Sequence, residues 1–308
     1  MASPAWPLPT GPQVAVGAAS FNQIGNNLTI ANTPGAIIDW NAFFIGAAES
    51  VRFQQQHSLS SVLNRVTGGD ASRILGELSS NGRVWLINPN GILFGPRSRV
   101  DVNGLIASTL NVSNADFLAG RMNFVAGNQA GKLDNAGTLN AANNIYLIAP
   151  DIENSGIIRS AQGEVLLAAG REVSLVDAAH PDIQVVVSAP DDKAVNLGEL
   201  VAGKISVFGA LVQHKGKANA DRVEVDDHGR IVFRASGDTL IEGGTATATH
   251  ANGQGGRIEV LGNSVAVTGE ALIDASGTTG GGTILVGGDF QGKNPDIPNS
   301  TITYFGPD

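Results

Sequence analysis

The chain has 308 residues, a formal net charge of −9 and no cysteine, and 42% of its residues are hydrophobic. This apolar content, with only 15% charged residues, excludes an intrinsically disordered chain. The 19 Lys and Arg residues are dispersed and outnumbered by 28 acidic residues, which excludes nucleic acid as a partner. No segment approaches the roughly 20 uninterrupted apolar residues of a membrane helix, so we expect no membrane insertion.

The residue types favour many short strands joined by tight turns. Glycine contributes 40 residues, whereas aromatic residues make up only 5%. Val, Ile and Thr fit a pleated surface, and Gly and Asn accept the backbone angles of tight corners. The composition therefore predicts an all-β protein.

The N-terminal region is predicted to hold two parts, a flexible segment over residues 1–14 and a cap over residues 15–65. The cap would cover the exposed edge of the first coil, since an open strand edge promotes association. Three apolar runs, separated by Asn, Pro and Gly, predict hairpin-like strands at residues 27–30, 37–40 and 51–53. In residues 57–66 the apolar spacing fits one or two helical turns, while the neighbouring runs favour a strand, and both alternatives stay open.

A turn motif follows at Asn88, Pro89, Asn90 and Gly91. The four residues match a type I turn position by position: Asn bonds its own backbone, Pro presets φ, Asn is tolerated third, and Gly fits the fourth place. Geometry alone therefore explains these residues as a corner between two strands.

A short surface helix is predicted next, over residues 114–120. Asn114 offers an N-cap, Asp116 an acid in the first turn, and Gly120 a terminal glycine.

The rest of the chain contains imperfect repeats. The run that starts at Leu133 recurs 19 residues later at Ile152, and the run at Gly229 recurs 27 residues later at Gly256. Each unit holds apolar runs of three to five residues bounded by Gly, Asn or Asp, which is typical of strands. Units of this length predict a β-solenoid whose coils stack at roughly 4.8 Å. We expect one domain over residues 15–290, and a truncated or frayed end over residues 291–308.

Several ordered motifs resemble the N-terminal secretion domain of the filamentous haemagglutinin family, the two-partner secretion (TPS) exoproteins. They are WNAFFIG at residues 40–46, VTGG at 66–69, SRILGEL at 72–78, NGRVWLINPNGILFG at 81–95 and SNADFLAG at 113–120. The resemblance is strong over residues 15–130, and beyond them the chain is similar only as solenoid repeats. The Asn-Pro-Asn-Leu motif of the classical haemagglutinin branch is missing, so the sequence looks closer to the branch of large adhesins and haem-acquisition exoproteins.

The resemblance implies a right-handed parallel β-helix with small extra-helical hairpins, at the front of a large exoprotein that is an adhesin. It implies secretion through the periplasm to the bacterial cell surface, and recognition by the POTRA domains and barrel of a dedicated outer-membrane transporter. The family's Asn-Pro-Asn-Gly-Ile motif carries over onto Asn88, Pro89, Asn90, Gly91 and Ile92, as residues for transporter recognition or fold nucleation. We expect a monomer.

Recognition of this kind has a physical basis in the unfolded chain. An unfolded segment exposes unpaired strand edges, so a receptor can add it as a strand to its own sheet. After export, the first coils would act as a template on which each new coil adds hydrogen bonds and buried apolar area.

An enzyme is the alternative, because pectin-cleaving enzymes also use parallel β-helices and fold does not fix function. The run from Asp226 to Arg230 gathers acids, a histidine and a cation, but consecutive residues of a strand alternate between its two faces. We therefore expect no catalytic residue there. The five histidines lack metal-ligand spacing, so neither a metal nor a cofactor is indicated.

Overall fold

The computed structural model describes residues 8–175, 183–186, 192–222 and 228–307. For residues 183–186 it describes the backbone alone. Successive strands form coils, and each coil contributes one strand to each of three faces. Strands of the same face pair in parallel with those of the coils before and after them. This confirms the all-β parallel β-helix.

The first face contains the longest apolar runs, and two of its strands turn the corner and continue onto the second face. Its strands are β4 (Ala36–Trp40), β7 (Ser61–Val66), β10 (Arg83–Ile87), β13 (Gly104–Ser108), β18 (Ile145–Ala149), β21 (Glu164–Ala169), β26 (Lys204–His214), β28 (Arg230–Glu242), β30 (Arg257–Leu261) and β33 (Thr283–Val286).

The second face follows the first in each coil, and it includes the C-terminal halves of the two long strands. Its other strands are β5 (Phe44–Ile45), β8 (Ser72–Ile74), β11 (Ile92–Phe94), β16 (Leu133–Asn135), β19 (Asp151–Asn154), β24 (Lys193–Asn196), β31 (Ser264–Thr268) and β34 (Ile302–Phe305).

The third face closes each coil and has a polar outer side. Its parallel strands are β3 (Asn27–Asn32), β6 (Ser50–Gln54), β9 (Glu77–Ser80), β12 (Arg99–Val102), β17 (Thr138–Ala141), β20 (Ile157–Ser160), β25 (Glu199–Val201), β27 (Lys217–Asn219), β29 (Thr245–Thr247) and β32 (Leu272–Asp274).

The remaining elements are antiparallel strands or helices. Two strands lie at the N-terminal end, and a small sheet with one helix stands outside the coils: β1 (Gln13–Val16), β2 (Ala19–Ile24), β14 (Asn111–Val112), α1 (Asn114–Leu118), β15 (Met122–Val125), β22 (Glu172–Leu175), β23 (Ile183–Val186) and a 3₁₀ turn (Phe290–Gly292). The predicted extra-helical hairpins are thus confirmed.

The register confirms the predicted repeats. Leu133 pairs with Ile152, and Arg230 with Arg257, as the sequence offsets of 19 and 27 residues require. Side chains that point inward form one continuous apolar core along the coils. The outer side of the first face is also buried, because the extra-helical sheet covers it. Burial on both sides explains why β10, β18 and β21 are continuous apolar runs rather than alternating ones.

The N-terminal region differs from the prediction in its strand pairing. β2 does form a hairpin with β3, but β3 already pairs in parallel with β6, and β4 with β7. The hairpin pairing predicted for residues 37–40 and 51–53 is therefore wrong, since these strands belong to coils. Among the described residues, β1, β2 and the bridge of Thr10 to Ala42 run antiparallel on the first coil, and the boundaries of the cap stay a prediction.

Both predicted terminal segments contain ordered structure. Leu8 is buried and the Thr10 amide donates to the Ala42 carbonyl at 2.9 Å, so residues 8–14 are held against the first coil rather than flexible. Residues 1–7 lie outside the described residues. Near the other end, β34 pairs in parallel with β31, so residues 302–305 extend the stack instead of fraying.

Two local predictions are settled by their environment. Residues 61–66 form β7, because burial on both sides of the first face outweighs their helical spacing. Helix α1 confirms the predicted surface helix, but its N-cap is Ser113, whose hydroxyl accepts from the Asp116 amide, and not Asn114. Among the described residues, the helices are too short to cross a bilayer.

Candidate export site at the Asn88 corner

The turn from Asn88 to Gly91 joins β10 of the first face to β11 of the second face. The Gly91 amide donates to the Asn88 carbonyl at 3.1 Å, which closes the predicted turn. Gly91 has a φ of +124°, a conformation that favours glycine, and a Cβ there would lie 3.2 Å from the Lys132 carbonyl oxygen. Glycine at this position is therefore required by the fold itself.

Asn88 is fully buried, and every polar atom of its side chain is used. Its Nδ2 donates to the Asp70 carbonyl at 2.9 Å and to Ser72 Oγ at 3.0 Å, both in the preceding coil. Its Oδ1 accepts from the Asn90 main-chain amide at 3.0 Å, the bond that an Asx turn makes. The side chain therefore ties its own turn to the coil before it.

The rest of the motif extends these links in both directions. Asn90 Nδ2 donates to the Gly68 carbonyl at 2.8 Å in the preceding coil, and the Gly131 amide donates to the Pro89 carbonyl at 2.7 Å from the next coil. Ile92 is buried in the inner core, and its amide donates to the Lys132 carbonyl at 3.0 Å. The five predicted residues thus form one cluster that joins three successive coils.

Sequence analysis missed a second polar cluster, a buried ladder of side chains at the end of the second face. Asn135 Nδ2 donates to Asn154 Oδ1 at 2.7 Å, and Asn154 Nδ2 donates to Asn196 Oδ1 at 2.8 Å. Asn196 Nδ2 then lies 3.1 Å from His214 Nδ1, and His214 Nε2 lies 3.0 Å from the Thr245 carbonyl oxygen. Each amide satisfies the next across a coil, so the ladder fixes the register of four coils.

A column of glycines accompanies this ladder, each two residues after a ladder residue. A Cβ on Gly156 would lie 2.2 Å from the Gly137 carbonyl oxygen, and one on Gly198 would lie 2.0 Å from that of Gly156. The spacing Asn-x-Gly in successive repeats is the sequence signal that would have identified both features.

The helix and the extra-helical sheet are fastened to the outer side of the first face by aromatic packing. The Trp85 ring lies 5.1 Å from Phe117 of α1, edge to face, and 5.8 Å from Phe124 of β15, stacked. Arg65 adds polar links, since its Nη2 donates to the Val112 carbonyl and to Asn114 Oδ1, each at 2.9 Å. Trp85, the residue three before Asn88, is therefore the centre of a second core.

The residues considered for catalysis are only partly brought together. Asp226 and Asp227 lie outside the described residues, while Arg230 pairs with the buried Glu259 at 3.0 Å. Burial raises the pKa of Glu164, which accepts a hydrogen bond from Ser206 and faces Lys204. Among the described residues, no group of three or more His, Cys, Asp or Glu side chains is arranged to hold a metal ion.

Two heme/hemopexin-binding proteins of Haemophilus influenzae are similar to this chain in sequence. The chain is 47% identical over 103 residues to a heme/hemopexin-binding protein of Haemophilus influenzae strain Rd, which is 33% of this chain and 11% of that protein. A second heme/hemopexin-binding protein of Haemophilus influenzae is 45% identical over 74 residues, 24% of this chain and 8% of that protein. The chain thus matches only about a tenth of the length of these relatives.

The solved HMW1 secretion domain from Haemophilus influenzae superposes with a TM-score of 0.91 at 34% identity, over 96% of this chain and 82% of that chain. Domains of this type direct exoproteins across the outer membrane to the cell surface or medium and interact with an outer-membrane transporter. Because the family model of the TPS secretion domain matches the sequence over residues 5–296, the chain belongs to the TPS secretion domain family.

Proposed function

We propose that this domain is recognised as an unfolded chain by the POTRA domains of its transporter, and that Asn88, Pro89, Asn90, Gly91 and Ile92 then nucleate the fold outside. The observation that carries the proposal is the use of the motif's polar groups within the fold. Asn88 is fully buried, and its side chain bonds only within the fold. A folded domain therefore does not offer that side chain to a transporter.

Templated folding is supported by the exposed apolar edge of the last described coils. Phe305 of β34 is 64% exposed. The strand register places Phe305 in one inward-facing column with Ile241 and Phe94, which are buried. A further coil would bury this edge, and the gain in buried apolar area would favour outward movement of the chain.

A binding measurement tests the recognition step. A POTRA fragment is mixed with the chain held unfolded in a low concentration of urea, and with a chain of scrambled sequence. The proposal expects binding of the native sequence alone, and equal affinity for Asn88→Ala if the motif acts only in folding. Equal binding of the scrambled chain, or binding of the folded domain alone, would contradict it.

For the longer exoprotein we propose adhesion, with haem capture as a second candidate that the names of the two Haemophilus relatives favour. Two assays on the full-length protein separate these candidates: one measures its retention on host cells, and the other measures its binding of haem–hemopexin. We further propose that this domain is monomeric and carries no catalytic residue. Incubation with anionic polysaccharides and an assay for reducing ends tests the second point, because new reducing ends would contradict it.

A further inference from the structure

A groove of about 700 Å³ runs along the outer side of the first face, beside the edge where the extra-helical sheet ends. Its floor is the start of the first-face strands, and Met122 of β15 and Leu175 of β22 form one wall. The groove is concave and combines this apolar wall with many polar and charged side chains, among them Arg83, Asn144 and Glu164, so it suits a polar ligand.

The register places one floor residue per coil in a row. Arg83 lies beside Gly104, Glu164 beside Lys204, and Lys204 beside Arg230, while Asn144 stands between Gly104 and Glu164. Successive residues of the row are therefore separated by the spacing of coils, roughly 4.8 Å. Such a row suits an extended ligand that repeats a polar group along its length.

The acids of this region are already neutralised within the protein. Glu164 Oε1 accepts from Ser206 Oγ at 2.8 Å and lies 3.4 Å from Lys204 Nζ. Glu259 lies 3.0 Å from Arg230 Nη2 and also pairs with Arg257. The carboxylates therefore do not repel an anion entering the groove as free charges would.

Arg83 differs from these paired cations. In the part of the chain that the structure describes, its guanidinium makes no ion pair, and the residue is exposed. Its stem lies over Gly104, where a Cβ would come within 3.3 Å of Arg83 Cγ. The glycine thus lets the arginine lie along the floor, with its planar head available to a ligand.

Tyr146 supplies a neutral donor two coils further on. Its hydroxyl oxygen accepts from Asn144 Nδ2 at 2.7 Å, so its own proton is left for another acceptor. Burial raises the pKa of Tyr146, and the hydroxyl therefore stays protonated at physiological pH. Gln162 adds an amide to the same groove.

We propose that this groove binds a carboxylate-bearing oligosaccharide, whose carboxylate pairs with Arg83 and whose hydroxyls bond Tyr146 and Gln162. A guanidinium matches a carboxylate through two parallel hydrogen bonds, and Met122 and Leu175 match the apolar face of a sugar ring. A long polyanion fits less well, because the chain as a whole carries a net charge of −9.

The test is calorimetric titration of the folded 308-residue chain with tetragalacturonic acid, against maltotetraose as the neutral probe and tetraglutamate as the acidic peptide. We expect binding of the acidic saccharide alone, weaker at high salt. Arg83→Ala should lower the affinity by about tenfold or more, the usual effect of losing a hydrogen bond to a charged group. Tyr146→Phe should lower it less, by a few-fold.

Arg52→Ala is the matched control, since Arg52 is an exposed arginine on the third face, away from the groove. Its affinity should equal that of the unchanged chain, and thermal unfolding should show that all variants fold. No binding of the acidic saccharide, equal binding of maltotetraose or tetraglutamate, or an unchanged affinity of Arg83→Ala would overturn the proposal. These outcomes leave the export function untouched, because the assay involves no transporter.

Discussion

The side-chain nitrogen of Asn88 donates a hydrogen bond to the main-chain carbonyl of Asp70, 2.9 Å away in the preceding coil. Through this bond a turn motif that looks local in the sequence holds two coils together. Asn90 makes the same kind of link to Gly68 at 2.8 Å. The motif therefore acts on the stacking of coils as well as on the turn itself.

Replacing Asn88 by Ala should destabilise the domain by about 1–3 kcal/mol, the cost of leaving buried partners unsatisfied. The Asp70 carbonyl, Ser72 Oγ and the Asn90 amide would each lose a hydrogen bond. Urea unfolding measures the change. Asn22→Ala, at an exposed position of β2, is the control and should stay within about 0.5 kcal/mol. Equal stability of the two variants would show that the corner does not hold the coils.

Gly156→Ala should destabilise the domain by about 1–3 kcal/mol or more, since overpacking a closely packed site forces the backbone to shift. The added Cβ would lie 2.2 Å from the Gly137 carbonyl oxygen. Gly69→Ala makes the same substitution where nothing lies within 4 Å of the new atom. Thermal unfolding of the two variants should show a lower midpoint for Gly156→Ala alone, and a matching loss in both would argue against the stacked glycine column.

The domain should become less stable as the pH is lowered, because of the His214 ring at the end of the asparagine ladder. Asn196 Nδ2 can only donate and the Thr245 carbonyl can only accept, so the two contacts fit the neutral ring. Burial lowers the pKa of His214 from 6.5 to about 4, against a smaller opposite effect of the hydrogen bond to Thr245. Well above pH 6.5 the ring is neutral in both the folded and the unfolded chain, so its titration does not change the free energy of unfolding.

Between pH 6.5 and 4 the unfolded chain binds a proton at this ring that the folded chain does not, so stability declines by about 1.4 kcal/mol per pH unit. His214→Asn continues the ladder without a titrating group. Urea unfolding is measured at pH 7 and at pH 5. Between the two, the free energy of unfolding of the unchanged chain should fall by about 2 kcal/mol more than that of the variant. Parallel losses in the two proteins would mean that His214 is not the group involved.

Arg65→Ala should loosen the helix and the first extra-helical strands without unfolding the coils. Arg65 joins β7 to the Val112 carbonyl and Asn114 Oδ1, and hydrogen bonds from a charged donor contribute about 1.5–3 kcal/mol each at most. Hydrogen exchange should become faster in residues 111–125 and stay unchanged in β18. Arg159→Ala, which removes the exposed pair with Glu199, should change neither region. Faster exchange throughout the domain would contradict a local role.

The sequence was sufficient to predict the strands, because their apolar runs and bounding turn residues are local signals. The corner at Asn88 was predicted for the same reason, and the bond from the Gly91 amide to the Asn88 carbonyl closes it. The strand pairing of the N-terminal region was not predicted, because the parallel pairing of β4 with β7 joins residues 26 positions apart in the sequence.

The ladder was missed because its residues meet only after folding. Asn135 and Asn154 are 19 positions apart, but Asn154 and Asn196 are 42 apart, with β22 and β23 between them. An insertion of variable length hides such a column from any search for a fixed period. The groove at Arg83 was missed likewise, because its floor takes one residue from each coil.

Secretion measured with and without the transporter tests the central claim most directly. The chain, preceded by a signal peptide, is co-expressed with the gene of its outer-membrane transporter, and the medium is assayed for folded, protease-resistant domain. We expect the domain in the medium only when the transporter is present, and a reduced yield of folded domain for Asn88→Ala and Asn90→Ala. Arrival in the medium without the transporter would contradict the account.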